Sequence, residues 1–394
     1  MPAGISGFQP ERLTQAREAR EMTAVALAEI VGVVASTISQ YENGHQKPRQ
    51  DTLDALARAL NVSGEFFMRA PSQWKPGRLF YRSMSSATKT ARARAEARYQ
   101  WFLEVLEYIL YFFDFPALNL PETGLPDDFR KITDSMIEDL AQRVRKHWNL
   151  GEGPVANVVQ TLEHNGIVLW RTLISAETLD AFSEFRIPHP AIVLSSEKEN
   201  YFRSRSDASH ELGHLLMHRN VDDKSLTKAS DFKILEQQAH HFAGAFLLPA
   251  KSFQNELWGM SIDTFRSLKS RWNASIGMQI SRCVTLGMLS EDQEKRLWIN
   301  RSRRGWHRQE PLDASTPAEQ PNLMAKSFKM LLEAKVKSRD QLMKDTDLSG
   351  ADLENFAGLP PGSISGERSE GEPRFRELGP NVVPFKRSPT FSSA

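Results

Sequence analysis

Three residues in the middle of the chain have the types and the spacing for metal-dependent hydrolysis. His210 and His214 are four positions apart, and Glu211 directly follows the first histidine in the string His-Glu-Leu-Gly-His. On a helix, side chains four positions apart leave the same face, so both imidazoles can bind one Zn²⁺. Glu211 then lies beside the metal, where a carboxylate can take a proton from water and pass it to a leaving amine. This spacing is the His-Glu-x-x-His signature of zinc peptidases.

Two predicted helices must position these groups. Leu212, Leu215 and Leu216 give the first helix an apolar face, which favours helix on periodicity alone. A second apolar stretch covers residues 234–248 and ends at Pro249, a residue that stops helices.

The second helix offers a third ligand. Glu236 would complete a His₂Glu site of the catalytic type, and His240 shares its helix face. His240 or His241 could orient a ligand from outside the metal's own shell. Two alternatives stay open: a structural or lost metal site, and an amphipathic helix whose two histidines lie near the surface by coincidence. A metzincin site is excluded, because Met217 and Asn220 stand where that motif needs Gly and His.

The residues from Arg205 to His214, with 236–243 and Leu247-Leu248-Pro249, resemble the ImmA/IrrE family of bacterial zinc peptidases. The chain is most similar to longer members that begin with a Cro/repressor-type (XRE) DNA-binding domain, and the resemblance covers most of residues 8–360. It implies that the zinc ligands are His210, His214 and Glu236, with Glu211 as general base.

Two positions depart from the family pattern. Ser206 replaces a usual aromatic residue, and His240 replaces a frequent Asn or Asp, which would alter the partners of a metal ligand. Neither change removes a group that the chemistry needs.

Composition sets the outer limits. The chain has 394 residues, enough for two or three domains, and a formal net charge of +1, so any basic DNA-binding surface must be local. The single cysteine, Cys283, excludes an intramolecular disulfide and fits a reducing cytoplasm, where we expect it to pack rather than react. We expect neither a secretory signal after Met1 nor a membrane span, since the most apolar run, 101–115, is short and contains three acids.

The pattern of apolar residues and turn signals over residues 8–68 predicts five short helices. The second and third, around 23–29 and 35–43, are joined by a turn at Gly32, and Gly44 ends the third. Two helices joined by a tight glycine-containing turn form a helix-turn-helix, whose second helix enters the DNA major groove. The alternative is a small helical bundle that binds protein.

The predicted reading helix carries short polar groups that can reach base edges or phosphates, namely Ser36, Thr37, Ser39 and Gln40. We expect Ile38 and Tyr41 to face the core. The string from Ile38 to Gly44, followed by Pro48, resembles the XRE family, which implies DNA binding by this helix and a pairing of Arg17 with Glu42. Ala24 departs from the family, which commonly has a phosphate-contacting Gln there.

The next segment is basic, with Lys75, Arg78, Arg82, Lys89, Arg92, Arg94 and Arg98 against the single acid Glu96. It could contact phosphate or form a solvated helix face. The apolar stretch 101–115 predicts a docking or dimer element, and 116–128 a proline-rich connector.

The peptidase region combines helices with short apolar strands at 167–169 and 191–194. A sheet edge near the site could hold an extended peptide substrate. Asp180, Phe182 and Ser183 match a family segment, and we interpret them as a turn. We expect the helices after Pro249 to pack within the fold rather than to form a second DNA-binding site.

We therefore predict a mainly α protein with an N-terminal five-helix DNA-binding domain and a small α+β zinc-peptidase domain. The predicted divisions are a helix-turn-helix domain at 1–70, a basic helical linker at 71–130, a peptidase domain at 131–290, a helical region at 291–361 and a disordered tail at 362–394.

Two functions remain open. The chain could be a transcription regulator that binds operator DNA as a homodimer and uses Zn²⁺ to cleave a protein partner such as a repressor. Alternatively, its peptidase-like domain could be a non-catalytic sensor or partner-binding module. Glu211 favours the enzyme, because a sensor has no need of a general base.

Overall fold

The computed structural model describes residues 4–72, 77, 80–81, 89–173, 181–197 and 200–366. Within this part of the chain the α-helices are α1 (Pro10–Ala19), α2 (Ala24–Val31), α3 (Ala35–Glu42), α4 (Gln50–Leu60), α5 (Lys89–Leu110), α6 (Asp134–His147), α7 (Val158–His164), α8 (Tyr201–Met217), α9 (Asp223–Thr227), α10 (Ala229–Leu247), α11 (Ala250–Glu256), α12 (Ile262–Trp272), α13 (Ile276–Thr285), α14 (Glu291–Arg303), α15 (Leu323–Glu333), α16 (Arg339–Thr346) and α17 (Gly350–Ala357). The strands are β1 (Phe80–Tyr81), β2 (Val168–Thr172), β3 (Ala181–Glu184) and β4 (Ala191–Ser195). The predicted class, mainly α with one small α+β region, is confirmed.

The N-terminal region contains the five expected helices, the fifth being a single 3₁₀ turn at Glu65–Phe67. Thr23 begins α2 by accepting a hydrogen bond from the backbone N–H of Ala26. Gly32 ends α2 with φ of 76°, a left-handed conformation that glycine adopts without strain. This turn directs the chain into α3, which completes the helix-turn-helix.

Helix α5 packs its apolar face inside the molecule. Trp101, Phe102, Val105 and Ile109 are fully buried, in one hydrophobic core with α1–α4 and α15–α17. The apolar stretch at 101–115 is thus an internal docking element along α5.

Helix α17 joins three parts of the structure through two side chains. The carboxylate of Asp352 accepts hydrogen bonds from Arg20 at the end of α1, at 2.5 and 2.8 Å, and from Arg98 of α5, at 3.3 Å. Asn355 accepts from the same Arg98 at 2.8 Å, and its backbone oxygen accepts from the indole of Trp170 in β2. The DNA-binding region, α5 and the peptidase sheet therefore meet at α17.

The sheet has the order β1-β3-β4-β2. Strand β2 pairs parallel with β4, whereas β3 pairs antiparallel with β4 and with β1. The strands predicted at 167–169 and 191–194 are confirmed as β2 and β4. The turn interpretation is wrong for Phe182 and Ser183, which lie in β3, while Asp180 falls outside the described residues. Strand β1 pairs with Phe182 and Ser183 on the outer edge of β3, so this part of the edge is not open for an added peptide.

A second hydrophobic core lies on the other face of the sheet, among α6–α8 and α10–α14. Beside it, Arg205 of α8 forms a buried ion pair with Glu319, whose carboxylate also accepts hydrogen bonds from the backbone N–H groups of Val158 and Val159 at the start of α7. Burial raises the pKa of Cys283, in the same core, to about 11, which suits a packing role.

Residues 116–126 have neither helix nor strand, as expected for a connector. From residue 367 the predicted tail lies outside the described residues, and the domain boundaries remain a prediction. In the described ranges no single helix is long and apolar enough to cross a bilayer, although α2 and α3, bent by 111° at their junction, pass that test as a pair.

Candidate metal centre and nucleic-acid surface

Helix α8 presents the two histidines and the glutamate from a buried position. Asn200 begins the helix by accepting a hydrogen bond from the backbone N–H of Arg203. His210 and Glu211 are fully buried, and His214 is 1% exposed. The predicted helix is confirmed, and its helical spacing places both imidazoles on one face.

Helix α10 carries Glu236 and packs closely against α8. A Cβ at Gly213 would lie 3.3 Å from the Cα of Ala239 and 3.2 Å from the ring of Phe242. This glycine therefore permits the short separation that brings Glu236 to the histidines.

The nitrogen and oxygen atoms of these residues converge on one point. Nε2 of His210 and Nε2 of His214 are 3.0 Å apart. The carboxylate of Glu236 lies 3.5 Å from the first and 3.2 Å from the second. A tetrahedral Zn²⁺ with bonds of about 2.0–2.1 Å separates its ligand atoms by roughly 3.3–3.4 Å. The donor set and its spacing thus fit a zinc ion held by these three side chains.

The protonation states also suit a metal. Burial lowers the pKa of His210 well below its ordinary range, so the imidazole is neutral and its lone pair is available. Burial works to raise the pKa of Glu236, but the neighbouring imidazoles of His210 and His214 outweigh burial and hold that pKa far below normal. Glu236 is therefore an anionic ligand candidate at neutral pH.

Strand β3 contacts the proposed general base. The hydroxyl of Ser183 donates a hydrogen bond of 2.6 Å to Oε2 of Glu211, and both residues are fully buried. Charged carboxylates accept such bonds strongly, so Ser183 can hold Glu211 in one orientation. No sequence pattern indicates this contact, because Ser183 and Glu211 lie on different elements, 28 positions apart.

Two further polar residues lie behind His214. Its Nδ1 is 2.9 Å from Nδ1 of His218, and Nε2 of His218 is 3.0 Å from Oε1 of Gln238. Burial lowers the pKa of His218 to about 3, so this imidazole is neutral. The His-Glu-x-x-His pattern includes neither residue, although His218 continues the four-residue spacing of His210 and His214.

His240 lies next to the site, with its ring centroid 4.4 Å from that of His210. It is exposed and lines a cleft of ≈ 840 Å³ together with Ser206, Gln237, Met278 and others from α13 and α14. Its role as an outer partner of the ligands stays a prediction. Through His240, this cleft adjoins the candidate ligands His210, His214 and Glu236, and it is large enough for a sizeable ligand.

The helix-turn-helix exposes part of its predicted reading surface. Ser36 and Ser39 are exposed, and Thr37 and Gln40 are half-buried. The Ser39 hydroxyl donates 3.3 Å to the carbonyl of Ala35. Contact of these four residues with DNA stays a prediction.

The core side of α3 is as expected. Ile38 is fully buried and Tyr41 is 7% exposed. Arg17 donates 2.6 and 3.1 Å hydrogen bonds to the two carboxylate oxygens of Glu42, which confirms the predicted pairing and fixes the end of α3 on α1.

The exposed cations next to α3 do not belong to the basic segment in which phosphate contacts were predicted. Lys47 and Arg49 are exposed in the loop after α3, outside the basic segment that begins at Lys75. In the basic segment, Arg94 pairs with Glu21 and Arg98 with Asp352, so these two serve intramolecular packing. Lys75, Arg78 and Arg82 lie outside the described residues.

Two family models match the chain. Residues 13–67 match the model described as Helix-turn-helix, and residues 162–283 match Peptidase M78, described as IrrE N-terminal-like domain. A comparison with curated proteins gave no match. The chain thus carries a helix-turn-helix domain followed by an IrrE-like domain of metallopeptidase type, and the architecture that the resemblance implied is confirmed. The M78 family is generally metal-dependent, in agreement with the cluster of His210, His214 and Glu236.

Proposed function

We propose that this protein is a transcription regulator that binds operator DNA and carries a zinc-dependent endopeptidase domain. The observation that supports the peptidase most is the convergence of His210, His214 and Glu236, whose ligand atoms lie within 4.8 Å of one another. Glu211, which directly follows His210 on α8, supplies the general base that a non-catalytic sensor would not require. The substrate is a protein partner, most simply a repressor acting at the same promoter.

In this proposal, His210, His214 and Glu236 hold Zn²⁺. When bound, the ion would polarise the scissile carbonyl and make water acidic enough to react near neutral pH. Glu211 takes the proton from the attacking water and returns it to the leaving amine. Ser183 orients the carboxylate of Glu211 through its 2.6 Å hydrogen bond. The buried surroundings of Glu211 limit competing water.

The DNA-binding part rests on α3. Ser36, Thr37, Ser39 and Gln40 would contact base edges or phosphates in the major groove. The exposed Lys47 and Arg49 would contact the backbone and contribute the salt-dependent part of the affinity. Because helix-turn-helix repressors bind paired half-sites, we expect this protein to bind DNA as a homodimer. We place its function in the cytoplasm.

The first experiment measures zinc per chain by atomic absorption, in the wild type, in Glu236→Ala and in the matched control Lys233→Ala. Lys233 is exposed on the same helix. We expect about one zinc in the wild type and in the control, with a marked loss in Glu236→Ala. A wild type that binds no zinc after reconstitution would refute the metal site.

The second experiment separates catalysis from sensing. Zinc-loaded wild type and Glu211→Gln are incubated with fluorescent casein and with a mixed peptide library read by mass spectrometry. We expect Glu211→Gln to keep its zinc and to lose cleavage by about 10²–10⁴-fold, the scale of general-base catalysis. Equal cleavage by both proteins would exclude that role for Glu211. Zinc binding without cleavage of either probe would favour the sensor function.

The third experiment tests the DNA surface. An operator is selected from a random duplex library with the wild-type protein, and affinities are then compared for Ser36→Ala, Gln40→Ala and the control Ser270→Ala. Ser270 is an exposed helical serine on α12. We expect loss of operator preference, at about 1–3 kcal/mol per base contact, only in the first two variants. Retained preference in both would argue against α3 as the reading helix.

A further inference from the structure

A buried chain of hydrogen bonds leads from the proposed ligand His214 to the backbone at the start of the peptidase region. It runs through His218, which is fully buried, and Gln238, which is 7% exposed. The amide nitrogen of Gln238 then donates to the carbonyl oxygens of Phe129, at 2.8 Å, and Ile132, at 3.3 Å. One end of this chain of hydrogen bonds is thus the proposed metal ligand His214. The other end consists of two backbone carbonyl oxygens, which can only accept.

The direction of every hydrogen bond in this chain follows from the fixed end. A carbonyl oxygen only accepts, so the group of Gln238 that faces Phe129 and Ile132 must be its NH₂. Its oxygen therefore faces His218, and Nε2 of His218 must carry the hydrogen. In a neutral imidazole, the other nitrogen then has a lone pair, so Nδ1 of His218 accepts.

The same logic determines the tautomer of His214. Because Nδ1 of His218 accepts, Nδ1 of His214 must donate across the 2.9 Å contact. Nε2 of His214 is then left with its lone pair, and this is the atom that lies 3.0 Å from Nε2 of His210 and 3.2 Å from the carboxylate of Glu236. The hydrogen-bond chain thus prepares His214 as a metal ligand before any metal arrives.

The other histidine ligand differs in this respect. Nδ1 of His210 is buried and has no hydrogen-bond partner among the described residues. Of the two histidines, only His214 has an Nδ1 hydrogen bond to another described side chain.

We propose that His218 and Gln238 are positioning residues, which fix the tautomer and ring orientation of His214 and so set the affinity of the site for Zn²⁺. This inference rests on the proposed zinc site. It assigns the two residues no contact with substrate or metal.

The test compares zinc affinity, by competition with a chromophoric chelator, in the wild type, His218→Phe and Gln238→Leu. Each variant keeps a side chain of similar size and removes the hydrogen bonds that the replaced residue makes. His189→Phe is the matched control, because His189 is also buried and bonded, at 3.2 Å to the carbonyl of Gly166, but lies on neither of the helices that carry the proposed ligands. Folding of each protein is checked by circular dichroism, and Gln238→Leu serves if His218→Phe does not fold.

We expect the zinc Kd to rise about 10–100-fold in both variants and to stay within about twofold in the control, the effect of losing a partner of a ligating histidine. Cobalt substituted for zinc should show altered visible absorption bands in the two variants, which a loss of stability alone would not produce. An unchanged Kd in either folded variant would overturn the inference. Absence of zinc from the wild type would instead refute the proposed function, so the two failures are distinguishable.

Discussion

Replacing Glu138 by glutamine removes one negative charge from a buried contact between three helices of the peptidase region. Both carboxylate oxygens of Glu138, on α6, accept hydrogen bonds from Arg282 of α13, and Oε1 also accepts from His241 of α10 at 2.7 Å. The side chain of Arg282 is only 1% exposed. We predict that Glu138→Gln destabilises the folded chain mainly because it leaves this guanidinium buried without a counter-charge.

The magnitude follows from the acidity of the group. Burial works to raise the pKa of Glu138, but the hydrogen bonds from Arg282 and His241 outweigh burial and lower it from 4.5 to about 2. At 1.36 kcal/mol per pH unit this corresponds to about 3 kcal/mol in favour of the folded state at neutral pH. The side chain is 23% exposed, and solvent screening reduces the expected loss to about 2–3 kcal/mol.

The effect has a defined pH dependence. Since the folded-state pKa of Glu138 lies below the unfolded value, its stabilisation is fully present above pH 4.5 and is lost as the pH falls toward 2. By linkage, the contribution at pH 3.5 is about two fifths smaller than at pH 7.

The assay is urea denaturation followed by circular dichroism at pH 7 and at pH 3.5, for the wild type, Glu138→Gln and Asp139→Asn. Asp139 is the next residue on α6 and is exposed, so its change should alter stability by less than about 0.5 kcal/mol. Equal losses in the two variants at pH 7, or a loss in Glu138→Gln that does not shrink at pH 3.5, would refute the electrostatic argument.

Three other expectations concern the N-terminal core, the ion pairs of α17 and the metal. Ile38→Ala should lower the free energy of unfolding by about 2–4 kcal/mol and weaken operator binding, without changing the zinc content. An unchanged free energy of unfolding would show that the surrounding residues fill the space and leave no cavity. Asp352→Asn should lower the free energy of unfolding by about 1–3 kcal/mol, because Arg20 and Arg98 lose their shared carboxylate, and a change no larger than that of the exposed control would contradict this. Chelation should lower the Tm of the wild type, since zinc at 1,000 times its Kd stabilises by about 4.1 kcal/mol, but should leave Glu236→Ala unchanged. An equal shift in both would place the metal elsewhere.

The sequence predicted the site where its geometry is local. His210 and His214 needed only a helix to share a face, and Glu236 could be found because a second helix with one anionic residue on the right face lay nearby. The helix-turn-helix was equally local, since Gly32 and Gly44 mark both ends of its reading region.

Contacts between distant segments were not predictable from these patterns. Ser183 was missed because β3 has four residues, too few to show alternation, and the partner of Ser183 lies on another element. The sequence did hold a signal for His218, four residues after His214, but its bond to Gln238 depends on how α8 and α10 pack. The pairing of Arg20 with Asp352 spans 332 positions.

That last pairing has a consequence for how the chain folds during synthesis. The helices α1–α4 contact one another locally and can associate as soon as they leave the ribosome. The face of α5 that contacts α15–α17 acquires its partners only when nearly the whole chain has been made. A long interval therefore separates the first helices from the last, during which apolar surface on α5 is exposed. Truncation before α17 is expected to leave a helix-turn-helix that folds, attached to a segment that aggregates.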